Sequence, residues 1–381
     1  MKEGILMADN RKPIVVVSLD LESLKSMLIR LDFSKVDLMA IISDSVENID
    51  VKINEHKIPF YDFSTLDKAL QDTANDNTYY LLCGYTSQVR VFGSIRRMLK
   101  VLGNISHDKI INASMLYEPS FVPAYQYAMQ GNLDFFATGI SYMMTGLSLA
   151  DLPLGHGVNL ATSSQDIYYG LEIAKRVFSV NPQIKYAFIG LSPYAFSYCL
   201  KDSFSTVSTS IVYELLWNSG HNSPLNQFIK STLLTNQLEK TTVYNPEDNL
   251  HDSILDLRKM LDIDRELHDI LPSGNAEHIR RNKEYLKEYI DLCRTYDCFP
   301  IGVIFPMSPL LQKNYPASGL TEHLNILNDF SLLYNFTYIN LWDMNLPLNC
   351  FYDLSHLNKQ GAKQVTQRLY TEIKKIGLLV N

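Results

Sequence analysis

The sequence predicts an α/β protein made of two successive doubly wound parallel sheets. Three observations carry that expectation. Short, unbroken apolar runs recur along the chain, as in strands buried on both faces. Stretches with apolar residues three and four apart separate them, the signature of covering helices. The length, 381 residues, corresponds to two or three domains at about 150 residues each.

The first unit is expected over residues 1–115. It opens with the strand Ile14-Val15-Val16-Val17, followed by a helix presenting Leu21, Leu24, Met27, Leu28 and Leu31 on one face. Leu38 to Ile42 reads as a second strand, Ile58-Pro59-Phe60 as part of a third, and Tyr79 to Cys83 as a fourth. Short helices fall near Leu66–Leu70 and along the basic stretch of Arg90, Arg96, Arg97 and Lys100. The pattern is that of a small Rossmann-like unit. Its first turn, Val17-Ser18-Leu19-Asp20-Leu21, lacks the glycines that let a backbone approach a pyrophosphate, although Asp44 sits where a ribose-binding acid would fall. A structural or partner-docking role therefore ranks ahead of nucleotide binding.

Residues 116–131, interrupted by Pro119 and Pro123 and ended by Gly131, read as a linker. The second unit, 132–381, has apolar runs at 135–139, 186–189, 301–305 and 337–341. Helices are expected near Ile167–Val177 and from Lys359 onward, where Ala362, Val365, Leu369, Ile373 and Ile376 form one face. Residues 201–295 break the alternation and read as a mostly helical insertion beside the sheet.

Composition narrows the function. Apolar residues make up 46% and charged residues 20%, which suits a folded core and excludes a disordered chain. A net charge of −7 argues against nonspecific nucleic-acid binding, which needs a basic surface. No run reaches the roughly 18 apolar residues of a membrane helix; the closest, Tyr186–Leu200, contains Pro193. The start, MKEGILMADNRKP, has no apolar signal region, so a cytoplasmic location is expected. Five isolated cysteines (Cys83, Cys199, Cys293, Cys298, Cys350) fit a reducing compartment and offer no zinc-ligand spacing. No metal or other cofactor is expected.

Two short stretches can carry chemistry. In Thr138-Gly139-Ile140-Ser141-Tyr142 an apolar strand ends in a tight turn bearing a serine. Such a turn exposes the hydroxyl beside unpaired backbone N–H groups that could hold an oxyanion. The same serine also reads as an ordinary helix N-cap. The second stretch is Phe351-Tyr352-Asp353-Leu354-Ser355-His356-Leu357-Asn358, just before the final helix. A carboxylate three positions from an imidazole can hold one ring nitrogen and leave the other as a general base. Asp353 or Ser355 could instead cap the helix.

Together these stretches resemble the SGNH (GDSL-like) hydrolase superfamily, whose four short sequence blocks all have counterparts here. Gly139-Ile140-Ser141 stands where the family has Gly-Asp-Ser, making Ser141 the implied nucleophile. In Val158-Asn159-Leu160-Ala161-Thr162-Ser163-Ser164-Gln165, Ser164 replaces an oxyanion-hole glycine, whose backbone N–H a serine also supplies. In Gly190-Leu191-Ser192-Pro193, Ser192 replaces the asparagine that donates to the oxyanion. Asp353-x-x-His356 is the fourth block. The strings NLATSSQD and FYDLSHLNKQGAKQ resemble in particular bacterial proteins of surface-polymer acylation, of the teichoic-acid D-alanine transfer and polysaccharide O-acetylation type. The resemblance spans roughly residues 132–381 without the insertion. It implies a three-layer flavodoxin-like sheet, a Ser141-His356-Asp353 triad, and an oxyanion hole from Ser141, Ser164 and Ser192. Gly139, Tyr142, Asn159 and Gln165 are the pocket candidates.

An α/β-hydrolase would instead want Gly-x-Ser-x-Gly, where this chain has Met143. Ser192 as nucleophile is disfavoured because Pro193 has no N–H to donate. His156 reads as a loop histidine, and Asp343 is a fallback for Asp353. The expected activity is that of a serine esterase or O-acyltransferase acting on an acylated small molecule, glycan or glycan precursor, possible partners being proteins of a glycan-assembly pathway. The rival is a catalytically silent scaffold of the same fold, favoured by the altered first and third blocks.

Overall fold

The computed structural model describes residues 11–18, 21–43, 52–53, 56–73, 76–83, 105–106, 109–113, 121–200, 213, 244–247, 249–255 and 275–378. The chain divides into two compact units, one holding the described residues up to Ala113, the other those from Phe121 to Leu200 and from Tyr244 on.

The first unit has five parallel strands: β1 (Lys12–Ser18), β2 (Val36–Ile42), β3 (Phe60–Tyr61), β4 (Tyr79–Cys83) and β5 (Ile110–Asn112), in the order β3-β2-β1-β4-β5. Strand period two explains its core. Ile14 and Val16 face α1 (Leu21–Arg30) with Leu24 and Met27; Val15 and Val17 face α2 (Leu66–Thr73) with Leu66 and Leu70. The expected third strand begins two residues late: Ile58 is buried but precedes β3, and the intervening Pro59 has no N–H for a ladder. The turn at 19–20, Asp44 and the basic stretch at 90–100 lie outside the described residues.

The second unit begins with α3 (Phe121–Ala128), inside the stretch expected to be a linker. Its Phe121, Val122 and Ala124 are buried. Pro123 is compatible because the N–H groups of a first helical turn have no intrahelical acceptor. The sheet comprises β6 (Phe135–Thr138), β7 (Gly157–Asn159), β8 (Tyr186–Gly190), β9 (Phe299–Ile304) and β10 (Thr337–Asn340). All pairs are parallel, in the order β10-β9-β8-β6-β7. This is the doubly wound 2-1-3-4-5 order, in which the chain changes direction between β6 and β8 and opens a crevice at their carboxyl ends.

Alternation along β6 sends Phe136 and Thr138 to one face. Phe136 meets Phe178 of α5 (Ile167–Val180) edge-on at 5.4 Å, and Thr138 Oγ1 is 2.9 Å from the Tyr289 hydroxyl of α6 (Ala276–Thr295). On the other face Phe135 meets Phe188 edge-on at 5.9 Å. α9 (Lys359–Lys375) packs on the short α4 (Ser141–Gly146), joined by the bond from Ser148 N to Thr366 Oγ1. Between β9 and β10 lie α7 (Pro309–Asn314) and α8 (Ala317–Tyr334).

The expected insertion at 201–295 needs correction at its end. α6 is the crossover from β8 to β9 and packs on α5, so it belongs to the sheet's helical layer. Its polar face obscured this, because Glu277, Arg280, Arg281 and Glu284 pair with one another in solvent. Among the described residues, no helix is long and apolar enough to cross a membrane.

Phe188 is fully buried at the centre of this sheet. Phe188→Ala is expected to cost about 3–5 kcal/mol, read as a lower urea midpoint for unfolding of the second unit.

Candidate active site

Ser141 sits at the carboxyl end of β6, beside the crevice that the strand order creates. The chain turns there at Gly139, whose φ is +143°. A Cβ at this position would lie 2.8 Å from the Cα of Gly190 at the end of β8, so the two strand ends approach backbone to backbone. Gln165 fixes the turn from the side. Its Oε1 accepts the Gly139 N–H at 2.6 Å, and its Nε2 donates to Leu160 O at 2.9 Å. Ser141 is the first residue of α4. The residue before it, Ile140, is the N-cap and has no capping side chain, so the N-cap reading of Ser141 does not hold.

The loop from Phe351 to Asn358 brings the other two groups. An isolated antiparallel bridge pairs Phe351 with Leu357 and closes the loop. Asn358, buried, is the true N-cap of α9: its Oδ1 accepts the Gly361 N–H at 3.0 Å and its Nδ2 donates to Asn349 O at 2.7 Å. That frees Asp353 from capping. One Asp353 oxygen accepts the N–H groups of Ser355 (2.8 Å) and His356 (2.7 Å), and both lie within 2.9–3.0 Å of His356 Nδ1. The opposite ring nitrogen, Nε2, is 2.7 Å from Ser141 Oγ. A carboxylate at Nδ1 accepts a proton there, so Nε2 is the acceptor toward the serine. Burial raises the Asp353 carboxyl, but the His356 charge and these hydrogen bonds outweigh it and hold it below the usual carboxylate value. Asp353 is thus ionised at neutral pH.

The backbone N–H groups of Ser141 and Ser164 have no acceptor in the described residues. Ser164 adopts the left-handed conformation, φ +61°, uncommon for a residue with a side chain. Ser192 is buried and lines the small cavity beside the serine turn. Of the other pocket candidates, Asn159 spends its amide on the backbone, its Nδ2 donating to Met143 O at 3.0 Å and its Oδ1 accepting from Ala161 N at 3.1 Å, whereas Gln165, besides holding the Gly139 N–H, lines the cavity beside the serine turn. A small cavity does lie beside the serine turn, lined in part by Gly139, Ile140, Gly190, Ser192, Ala195 and Tyr198. His156 precedes β7, at the amino end of the sheet and away from the site, where its N–H bonds to Asp134. Asp343 is exposed, and Asp353 holds the imidazole.

Sequence reasoning missed the aromatic surroundings of His356. Tyr352 stacks on the imidazole with ring centroids 5.5 Å apart, and His251 lies 4.1 Å from Tyr352. The His251 segment, 249–255, is tied to the loop by Leu255 N to Phe351 O (2.8 Å) and to the start of α9 by Lys359 N to His251 O (2.7 Å). No spacing signals these partners, since tyrosine is abundant and His251 is distant in sequence. Among the described residues no three His, Cys, Asp or Glu side chains converge on a metal position.

No family model matches the chain, and no curated protein does. Solved structures similar to it include one described as a lipolytic protein of the G-D-S-L family, by assignment, from Desulfitobacterium hafniense DCB-2, with 10% identity and a TM-score of 0.32, covering 63% of this chain and 99% of that one. Another, assigned as a platelet activating factor from Streptococcus pneumonia, has 10% identity and a TM-score of 0.36, covering 78% of this chain and 100% of that one. Overlaps of this size decide neither fold nor function, and the functional reading rests on the site's own geometry.

Two outcomes are expected. Gln165→Leu leaves the buried Gly139 N–H without an acceptor. It should cost about 1–3 kcal/mol in urea unfolding and reduce the reactivity of Ser141 in parallel. Asp166, the buried N-cap of α5, holds the N–H groups of Tyr169 and Leu200, and burial raises its carboxyl to about 6. The unfolded carboxyl ionises first as pH rises, so the folded state binds the extra proton between pH of about 4 and 6 and loses stability across that window. Asp166→Asn should flatten this part of the pH dependence of unfolding free energy.

Proposed function

We propose that the chain is a serine esterase or O-acyltransferase that works through an acyl-enzyme. The observation that carries this reading is the continuous hydrogen-bonded line from Ser141 Oγ to His356 Nε2 and from His356 Nδ1 to the Asp353 carboxylate. A serine hydroxyl is a poor nucleophile until a base takes its proton, and that geometry supplies the base and its orienting group.

In the proposed cycle, Ser141 Oγ bonds to the acyl carbonyl carbon as its proton passes to His356 Nε2. The carbonyl electron pair moves onto oxygen, where the N–H groups of Ser141 and Ser164 receive it. The imidazolium then protonates the departing alkoxide, leaving the acyl group on Ser141. Water or a sugar hydroxyl gives its proton to His356 and attacks the ester carbonyl, and the imidazolium returns that proton to Ser141 Oγ as the acyl group leaves. Asp353 stays ionised throughout and balances the imidazolium. The glycan or glycan-precursor acceptor and partner proteins of a glycan-assembly pathway come from the sequence resemblance. They extend the proposal beyond the site itself.

One observation favours the silent-scaffold reading: Ser192 stands where the resembled family has an asparagine, and its hydroxyl is a shorter oxyanion donor. Loss of one such donor costs about 10²–10³ in rate, which lowers activity without abolishing it.

A fluorescent phosphonate should label the wild-type chain and leave Ser141→Ala unlabelled. With an aryl acetate as substrate, Asp353→Asn should lower kcat by about 10⁴-fold, as expected when the imidazole loses its orienting carboxylate. A folded wild-type chain that neither labels nor turns over any ester would leave the scaffold reading standing.

A further inference from the structure

His356 has two aromatic rings stacked close to it. Tyr142, next to the serine on α4, faces one side of the imidazole at a centroid distance of 5.1 Å and an interplanar angle of 24°. Tyr352 faces it at 5.5 Å and 15°. Both distances fall within the roughly 6 Å over which a ring face attracts a cation. Tyr142 is buried, with the Tyr194 ring edge-on against it at 6.2 Å. Tyr352 is backed by the ring of His251 at 4.1 Å, and the His251 segment is tied to the first residue of α9 through Lys359 N. The rings of His251, Tyr352, His356 and Tyr142 are thus linked by successive pairwise contacts. Neither tyrosine supplies a hydrogen bond to the imidazole nitrogens, which Asp353 and Ser141 occupy.

We infer that Tyr142 and Tyr352 form an aromatic clamp that raises the proton affinity of His356, with His251 as the outer support that holds Tyr352 in place. The charge exists only when the imidazole is protonated, so the clamp favours imidazolium over neutral imidazole. In catalysis, where the inference rests on the acyl-transfer reading, that preference acts while the Ser141 proton is on Nε2 and strengthens His356 as a base. Tyr142 and Tyr352 are positioning residues in this sense, acting through His356 rather than on substrate.

Among the described residues, the charged and titratable groups around the imidazole include Asp353 on its own loop, Ser141 and Tyr142 from α4, Tyr352, and His251 with Asp252 from the 249–255 segment. Asp353 favours imidazolium. Desolvation and the nearby His356 charge hold His251 below its ordinary value, so at neutral pH it stays an uncharged backing for Tyr352. Desolvation keeps the Tyr142 phenol neutral as well.

The test is an NMR titration of the full chain with ¹³C-labelled histidine, the His356 signal being assigned by its loss in His356→Gln. Tyr352→Leu should lower the pKa of His356 by about 0.5–1, a three- to tenfold loss of proton affinity of the size expected for a partly desolvated cation–π contact. The low-field Nδ1 proton held by Asp353 should persist. Tyr352→Phe should restore the wild-type value, because it keeps the ring. The acid limb of kcat/KM should move to lower pH by the same amount. Should Tyr352→Leu fail to fold, Tyr352→Met keeps the volume and makes the same comparison. An unchanged His356 pKa overturns the clamp. So does a fall accompanied by loss of the low-field proton, since a loosened loop then explains it. A fall in pKa in a chain inactive toward every ester supports the clamp and counts against the acyl-transfer reading alone.

Discussion

The backbone contact between Gly139 and Gly190 sets the geometry on which the site depends. Two neighbouring parallel strands end at nearly the same level, and the chain must leave one of them sharply to expose a side chain at their carboxyl ends. A side chain at position 139 would strike the neighbouring backbone. Without one, the turn closes, Gln165 reaches across to accept the Gly139 N–H, and α4 starts with Ser141 pointing out of the sheet. The strand order does the rest, because the chain reverses direction between these two strands and leaves a crevice there.

The second half of the site depends on a loop that is rigid for reasons unrelated to chemistry. Asn358 caps α9 and reaches back to Asn349, while the Phe351–Leu357 bridge closes the loop on itself. Asp353 is left free to accept two backbone N–H groups and the imidazole. A carboxylate so supplied with donors stays ionised and cannot swing away. Packing of α9 on α4 brings this loop to the serine, linking the last helix of the unit to the first strand of its sheet.

Several side chains that look functional in one dimension turn out to hold the frame. Asn159 and Gln165 are polar, buried and close to the serine, which is also how substrate-binding residues look in sequence. Their amides satisfy backbone groups that irregular turns leave unpaired. Tyr352 and His251 show the converse: ordinary in sequence, they acquire a role by stacking beside His356.

Much of the architecture was legible in the sequence. Apolar runs such as Ile14–Val17 and Tyr186–Ile189 mark strands because a residue buried on either face must be apolar, and the alternation with helices makes the sheets parallel. The Asp353-x-x-His356 pair was legible because three residues of chain hold its two groups together. α3 was not, since prolines mark its stretch as a linker, and α6 read as part of a helical insertion because its charged outer face hides a burial that depends on distant partners. Sequence alone therefore determined the strands with long apolar runs, the helices with clear apolar faces and the local Asp–His pair, all set by neighbours within a few residues, but not the three-residue strands Ile110–Asn112 and Gly157–Asn159. Tertiary structure alone decided the strand order, the meeting of Ser141 with His356 across 215 positions, and the rings around the imidazole, because those contacts exist only once separate segments bury their apolar faces together.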